Sequence, residues 1–479
     1  MLFNSPEFLF IFLPATFFLY FFALRHKKVI LSKIVLIVGS LFFYGYWNPI
    51  YLWLLTASIL FNYFLGTKIL ELKSQKKSKI LLIFGVFINL VVLGYFKYSN
   101  FFLENLNYFI DGKINATHII LPLGISFITF QKIAFLFDCH QKKLARPNFY
   151  DYSLFVSFFP QLIAGPIVHH SEIIPQFKTL KSKFINHRNI SLGIFIFAVG
   201  LFKKVIIADS LASYNFSAFQ DPELLFPAQA WLASFSYSLQ IYFDFSGYSD
   251  MAIGAALLFN IKLPFNFNSP YKAGNIQDFW GRWHMTLSRF LKDYIYIPLG
   301  GSRLGEFRTY INLLIVFFIS GLWHGASWAF VMWGMLHGAA ICVHRLWVKF
   351  GFSMNKYLGI FTTFMFVNFA WIFFRMENFN KAILMIKKML FVDFDTNSIF
   401  GSELLLTLKN AAKLNTYGFV ALFSTTIICY YILPIIFRDA NDNCKNFKPN
   451  AKYLIIFAIL FSIAFYNLQK PSTFIYFNF

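Results

Sequence analysis

The chain has 479 residues, of which 58% are hydrophobic, 22% aromatic and only 13% charged, where soluble domains carry roughly 25% charged residues. That composition excludes a water-soluble globular protein and predicts an all-α polytopic membrane protein with the lipid bilayer as its first partner. The net charge of +21 falls in short loops between apolar runs, where positive-inside bias puts it, so no nucleic-acid partner is expected.

The first span covers residues 7–24, lacks the flanks of a cleaved signal and stops at Arg25-His26-Lys27-Lys28. Spans 29–47 and 51–65 form a hairpin through Asn48-Pro49-Ile50, and the next loop carries Lys68, Lys73, Lys76, Lys77 and Lys79. The two basic loops flanking that hairpin share a face, assigned to the cytoplasm, with the N-terminus outside. Span four covers 80–96, which leaves 97–117 as an outside loop.

The segment 119–137 carries Pro122, Gly124, Ser126, Thr129, Gln131 and Lys132. Either it lines a protein interior or it is broken. Segment 152–168, with Pro160, Gly165 and Pro166, is expected to be re-entrant or interfacial, and 169–188 a polar loop. Lys203 and Lys204, within apolar residues 190–207, are placed at an interface. Span 227–245 ends in Asp244-Phe-Ser-Gly-Tyr-Ser-Asp250, taken as a turn. Further spans are expected at 311–322, 327–343, 358–374, 417–437 and 453–468. The total is about ten spans plus partial ones at about 20 residues each, in a single domain of residues 1–479.

Cys139, Cys342, Cys429 and Cys444 are scattered without metal-ligand spacing, so neither a disulfide framework nor a metal site is expected. The candidate chemistry lies between Gln277 and Gly325. On a helical wheel of 277–294, Trp280, Trp283, Leu287, Leu291 and Tyr294 form one stripe, opposite Asp278, Arg282, Arg289 and Lys292. This predicts an amphipathic interfacial helix with His284 on its border. His324 closes an apolar span between Trp323 and Gly325. An imidazole there is a general-base candidate, with a structural hydrogen-bonding role as its alternative. His337 is a supporting or packing residue on the next span, and His344 is interfacial. Asp244 and Asp250 can bind a proton, orient a histidine or bond backbone groups. His284-Met-Thr-Leu-Ser-Arg289 lacks the acid of HxxxxD acyltransferases, and no P-loop, HExxH or GxSxG occurs.

Several stretches in order resemble the membrane-bound O-acyltransferase family, in the bacterial branch of alginate and peptidoglycan O-acetylation. They are Leu121-Pro-Leu-Gly-Ile-Ser-Phe127, Phe158-Phe-Pro-Gln-Leu-Ile-Ala-Gly-Pro166, Tyr242-Phe-Asp-Phe-Ser-Gly-Tyr-Ser-Asp250, Asp278-Phe-Trp-Gly-Arg-Trp-His284, Tyr296-Ile-Pro-Leu-Gly-Gly301, Gly321-Leu-Trp-His-Gly-Ala326 and Phe474-Ile-Tyr-Phe-Asn-Phe479. The resemblance implies a ring of helices and re-entrant segments around a central tunnel. It implies His324 as the active histidine and His284 as the second signature histidine; beside them Asp244, Gln131 and Arg282 are read as supporting residues, together with the His337 noted above. It further implies acetyl-CoA as donor substrate with no permanently bound cofactor, a polysaccharide acceptor and a periplasmic acetyltransferase partner. A lipid-linked glycan flippase and an acyltransferase with another donor are the alternatives, and the lack of an internal repeat weighs against the flippase.

Overall fold

The computed structural model describes residues 1–110, 114–115, 119–178, 184–376, 378–390, 439–468 and 475. The span expected at 417–437 and most of the closing aromatic motif lie outside the described residues. The first helices are α1 (Leu13–Arg25), α2 (Val29–Gly45), α3 (Leu52–Glu71), α4 (Gln75–Leu93), α5 (Ser99–Phe109), α6 (Ile125–His140), α7 (Phe149–Ser157), α8 (Phe159–Leu162) and α9 (His170–Lys178). The middle comprises α10 (His187–Phe202), α11 (Asp209–Gln220), α12 (Pro227–Leu258), α13 (Ile276–Trp280) and α14 (Met285–Leu291). Then follow α15 (Glu306–His324), α16 (Trp328–Lys349), α17 (Lys356–Arg375), α18 (Phe379–Leu390), α19 (Ala440–Asn446) and α20 (Ala451–Tyr466). Seven helical stretches among the described residues are long and apolar enough to cross a membrane, which makes this a multi-pass membrane protein.

Two faces can be told apart by contacts. Lys142 Nζ donates to the carbonyl oxygens of Ile69, Leu70 and Leu72, Arg146 pairs with Glu71, and His140 meets Ser78. These tie the ends of α3, α4 and α6 into one basic face. At the other end, Tyr51 donates to the Ile120 carbonyl. Tyr294 donates to Asp138 near the basic end of α6, so α15, which follows, starts on the basic side. Its 19 residues rise about 28 Å and carry His324 to the opposite end.

Several expectations are corrected here. Residues 97–109 are not loop: the helix runs on from α4 through a wider π-type turn at Gly94–Tyr98 into α5. Residues 170–178 are not a bare polar loop but α9, whose Ile173, Ile174 and Phe177 are buried. Asp244 and Asp250 do not flank a turn, because α12 runs unbroken through both for 32 residues. Lys203 and Lys204 are not interfacial: Lys203 meets Asp250 at 2.7 Å, and Lys204 meets Asp209 at 2.7 Å and Asp244 at 2.5 Å, with both lysines, Asp244 and Asp250 buried. In this lysine–aspartate cluster, polar side chains taken as signs of water are satisfied inside the protein. The reading of 119–137 as an interior face holds, since nearly all of α6 is buried. Segment 152–168 is broken at Phe158 and enclosed by protein, which satisfies its irregular backbone.

The α15–α16 hairpin determines where His324 sits. Gly321 and Gly334 let the two backbones touch: a Cβ on Gly321 would strike the Phe330 carbonyl oxygen, and one on Gly334 that of Phe317. Both obstacles are backbone and cannot swing aside. Gly334→Ala is expected to lower stability by about 1–3 kcal/mol and to shift His324. Thermal unfolding in detergent checks the first effect, and an unchanged midpoint would refute the close crossing.

Candidate active site

Three buried histidines alternate with two tryptophans. His284, His324 and His337 are 0%, 2% and 0% exposed. The Trp323 ring centre lies 6.0 Å from that of His284 and 4.8 Å from that of His324. Trp333 lies 4.9 Å from His324 and 5.0 Å from His337. Trp280 Nε1 donates to His337 Nδ1 at 3.2 Å, which fixes the orientation of the His337 ring. His284, Lys97 and His337 are the charged or titratable groups close enough to act electrostatically on His324. The structure therefore brings together His324, His284 and His337, which the sequence reading had singled out separately.

His284 is not on the border of an interfacial helix. The segment 277–294 is split, with α13 ending at Trp280 and α14 starting at Met285. His284 lies between them at φ 43°, ψ 51°, a left-handed conformation that costs a non-glycine residue roughly 1–2 kcal/mol. A network holds it there. Met285 N donates to the Asn266 carbonyl at 2.9 Å, Thr286 Oγ1 donates to Asn266 Oδ1 at 2.6 Å, and Asn266 Nδ2 donates to Ser249 Oγ at 3.2 Å. Ile167 N closes the set by donating to Thr286 Oγ1 at 3.0 Å. Asn266, Thr286 and Ser249 were missed in sequence, because lone small polar residues give no signal until the fold gathers them.

The supporting residues separate into two groups. Gln131 is buried on α6, and its Oε1 has no partner among the described residues. Arg282 turns away, pairing with Asp278 at 2.7 Å and donating to the Asn268 carbonyl at 3.3 Å. Asp244 pairs with Lys204 and accepts from Ile475 N at 2.9 Å, a structural task.

His324 lines a small pocket whose wall also includes Lys97, Gly124, Ser126, Ala164 and Trp323. Three separate sequence motifs thus meet at one cavity. Gly124 has φ 67° and packs directly on the carbonyl oxygens of Leu162 and Ile163, which only glycine permits. Lys97 is the second group sequence reading missed, since it was placed in a loop. The indole N–H groups of Trp323 and Trp333 and the hydroxyls of Ser320 and Ser327 are buried without a hydrogen-bond partner among the described residues. A buried donor without a partner calls for an explanation, and a catalytic role is one.

On the basic face a polar pocket is lined by Asp138, Lys143, His169, His170 and Tyr294, among others. Arg289 grips Glu172 through two contacts of 2.5 and 2.9 Å. Burial works against the Glu172 carboxylate, but the Arg289 pair outweighs it and holds its pKa below the ordinary value. Burial, aided by Arg289, pushes that of His169 down. Between the two pockets stand Phe130 and Phe290, stacked at 4.2 Å, with Trp323 5.3 Å from Phe130.

Residues 139–383 match the model of the membrane-bound O-acyltransferase family. The chain is 45% identical to a peptidoglycan O-acetyltransferase of Helicobacter pylori, across 100% of this chain and 98% of that protein. It is 38% identical to a probable alginate O-acetylase AlgI of Azotobacter vinelandii, across 91% and 87% of the two. A teichoic acid D-alanyltransferase of Bacillus subtilis is 27% identical across 55% of this chain and 71% of that protein.

Proposed function

The chain belongs to the membrane-bound O-acyltransferase family and is an O-acyltransferase, and from that premise we propose that it acetylates a cell-envelope polysaccharide from acetyl-CoA. Peptidoglycan is the first choice of acceptor, because the relative named for it is similar over the full length of both chains. An alginate-like polymer is the second, from the name of the relative in Azotobacter vinelandii. The protein works in the inner membrane with its basic face to the cytoplasm, where anionic coenzyme A is met by basic loops. A periplasmic acetyltransferase partner receives or directs the acetyl group.

The observation that carries this reading is His324 on the wall of a pocket, beside the buried N–H groups of Trp323 and Trp333, which have no hydrogen-bond partner among the described residues. A thioester needs no metal for acyl transfer. It needs a base for the incoming hydroxyl and donors for the oxyanion. In our mechanism a ring nitrogen of His324 takes the acceptor hydroxyl's proton as its oxygen attacks the thioester carbonyl. Trp323 and Trp333 stabilise the oxyanion, the C–S bond breaks, and the thiolate leaves with the proton from His324. His284 orients the acceptor.

The test uses sealed vesicles containing the protein, the periplasmic acetyltransferase partner and the acceptor, supplied with radiolabelled acetyl-CoA outside. Label in glycan released by muramidase is expected. Excess long-chain acyl-CoA should compete poorly. Strong competition, or labelling only from a D-alanyl carrier protein, would replace the donor. Glycan that crosses the membrane without acquiring acetyl would favour a flippase.

A further inference from the structure

The catalytic helix ends in an accounting problem that another helix solves. The last four carbonyls of a helix have no partner within it. In α15 these belong to Gly321, Leu322, Trp323 and His324, and all four are met. Gly325 N donates to Gly321 O at 3.3 Å. Tyr98 donates its hydroxyl hydrogen to Leu322 O at 2.6 Å. Lys97 Nζ donates to Trp323 O and, at 3.2 Å, to His324 O. Its third acceptor is Ser126 Oγ at 3.4 Å, so three acceptors match the three N–H bonds of an ammonium.

Lys97 forms no ion pair with a carboxylate among the described residues. The negative end of the α15 dipole and the carbonyls compensate its charge instead. An ammonium drawn away from water into such a place is costly unless fully bonded, so the site has been built around it. It also lines the same pocket as His324, and its Nζ lies 5.9 Å from the centre of the Trp323 ring.

We propose that Lys97 and Tyr98 form a cap in trans on the α15 C-terminus, and that Lys97 is a positioning residue for acyl transfer. Helix ends fray, and His324 is the last residue of its helix. A swing of the final turn moves the imidazole and the Trp323 indole together, and a displacement of about 1 Å at a reacting group can cost on the order of 100-fold in rate. The cap removes that freedom from both side chains at once. This inference rests on the acyltransfer reading for its functional half only, because the cap itself is a structural claim.

Two measurements separate the halves. Hydrogen–deuterium exchange of the peptide covering residues 321–325 reads the cap without any chemistry. Acetyl turnover per folded molecule, with the donor KM, reads its consequence. Lys97→Met is expected to speed exchange at least tenfold and to lower kcat about 10- to 100-fold, with KM changed less than twofold. Lys97→Arg restores much of both, because a guanidinium can still donate to several carbonyls. Tyr98→Phe loses one bond and gives a smaller change in the same direction. It stands in for Lys97→Met should that variant not fold. Unchanged exchange in Lys97→Met, or in Tyr98→Phe in its place, overturns the cap. Faster exchange with turnover within threefold of the wild type makes the cap purely structural and overturns the positioning role. A wild type that transfers no acetyl group would instead overturn the acyltransferase mechanism, with the exchange result still deciding the cap.

Discussion

His324→Ala is expected to lower acetyl turnover by about 100- to 10,000-fold, the range for removing a general base. Donor KM should stay close to that of the wild type, because in the proposed mechanism the imidazole acts on the acceptor hydroxyl and not on the thioester's carrier. The protein should still accumulate and unfold at nearly the wild-type temperature. The His324 ring is enclosed by Trp323, Trp333 and Phe374, the last at 5.1 Å, and Trp333 and Phe374 pack on one another as well. Single-turnover measurements on matched vesicles check the rate, and near-infrared fluorescence of a fused label checks abundance. Turnover within threefold of the wild type would remove His324 from the chemistry and pass the base to His284.

Lys204→Met is expected to act on stability. Lys204 sits between Asp209 and Asp244, with Lys203 and Asp250 paired beside it. Removing the shared cation leaves two carboxylates buried without their counter-charge, which costs about 3–5 kcal/mol for a buried pair. The loss should spread beyond the pair, since Asp244 also anchors the Ile475 backbone near the chain's end. A second change, Asp244→Asn in the Lys204→Met background, should recover part of it by removing one unmatched charge. Denaturation midpoints of the three proteins in detergent decide the matter. A Lys204→Met midpoint equal to the wild type would mean that the carboxylates find other partners or protons at little expense.

Membrane character, most span positions and the histidines were legible in the sequence, for definite reasons. Apolar runs such as 311–322 and 358–374 are longer than soluble strands need, so α15 and α17 emerge within a few residues of expectation. His324 stood out because a histidine closing an apolar run is rare. Where the reading failed, it took a polar residue as a boundary. Lys97, Lys203 and Asp244 each looked like an exit to water, and each is bonded to a partner supplied from a different helix, with Lys203 and Asp244 fully buried. Periodicity also misled at 277–294: the apolar stripe is real, but a left-handed residue at His284 cuts the helix in two. Nothing local to His-Met-Thr announces that break, because it is imposed by Asn266 and Thr286.

The Lys97 contact also sets a timetable for biogenesis. Its acceptor Trp323 is 226 residues later in the chain, and synthesis at roughly 5–20 residues per second puts about 10–45 s between the two. Throughout that interval the ammonium has no helix end to bond and has to reach up to the headgroups. It moves inward only when α15 arrives, so the emerging first third of the protein and its mature form hold this side chain at different depths. Ribosome-stalled chains ending shortly before and after α15 emerges from the tunnel, carrying Lys97→Cys, should switch from labelled to protected against an impermeant maleimide. Assembly of the catalytic pocket would then coincide with the burial of one charge.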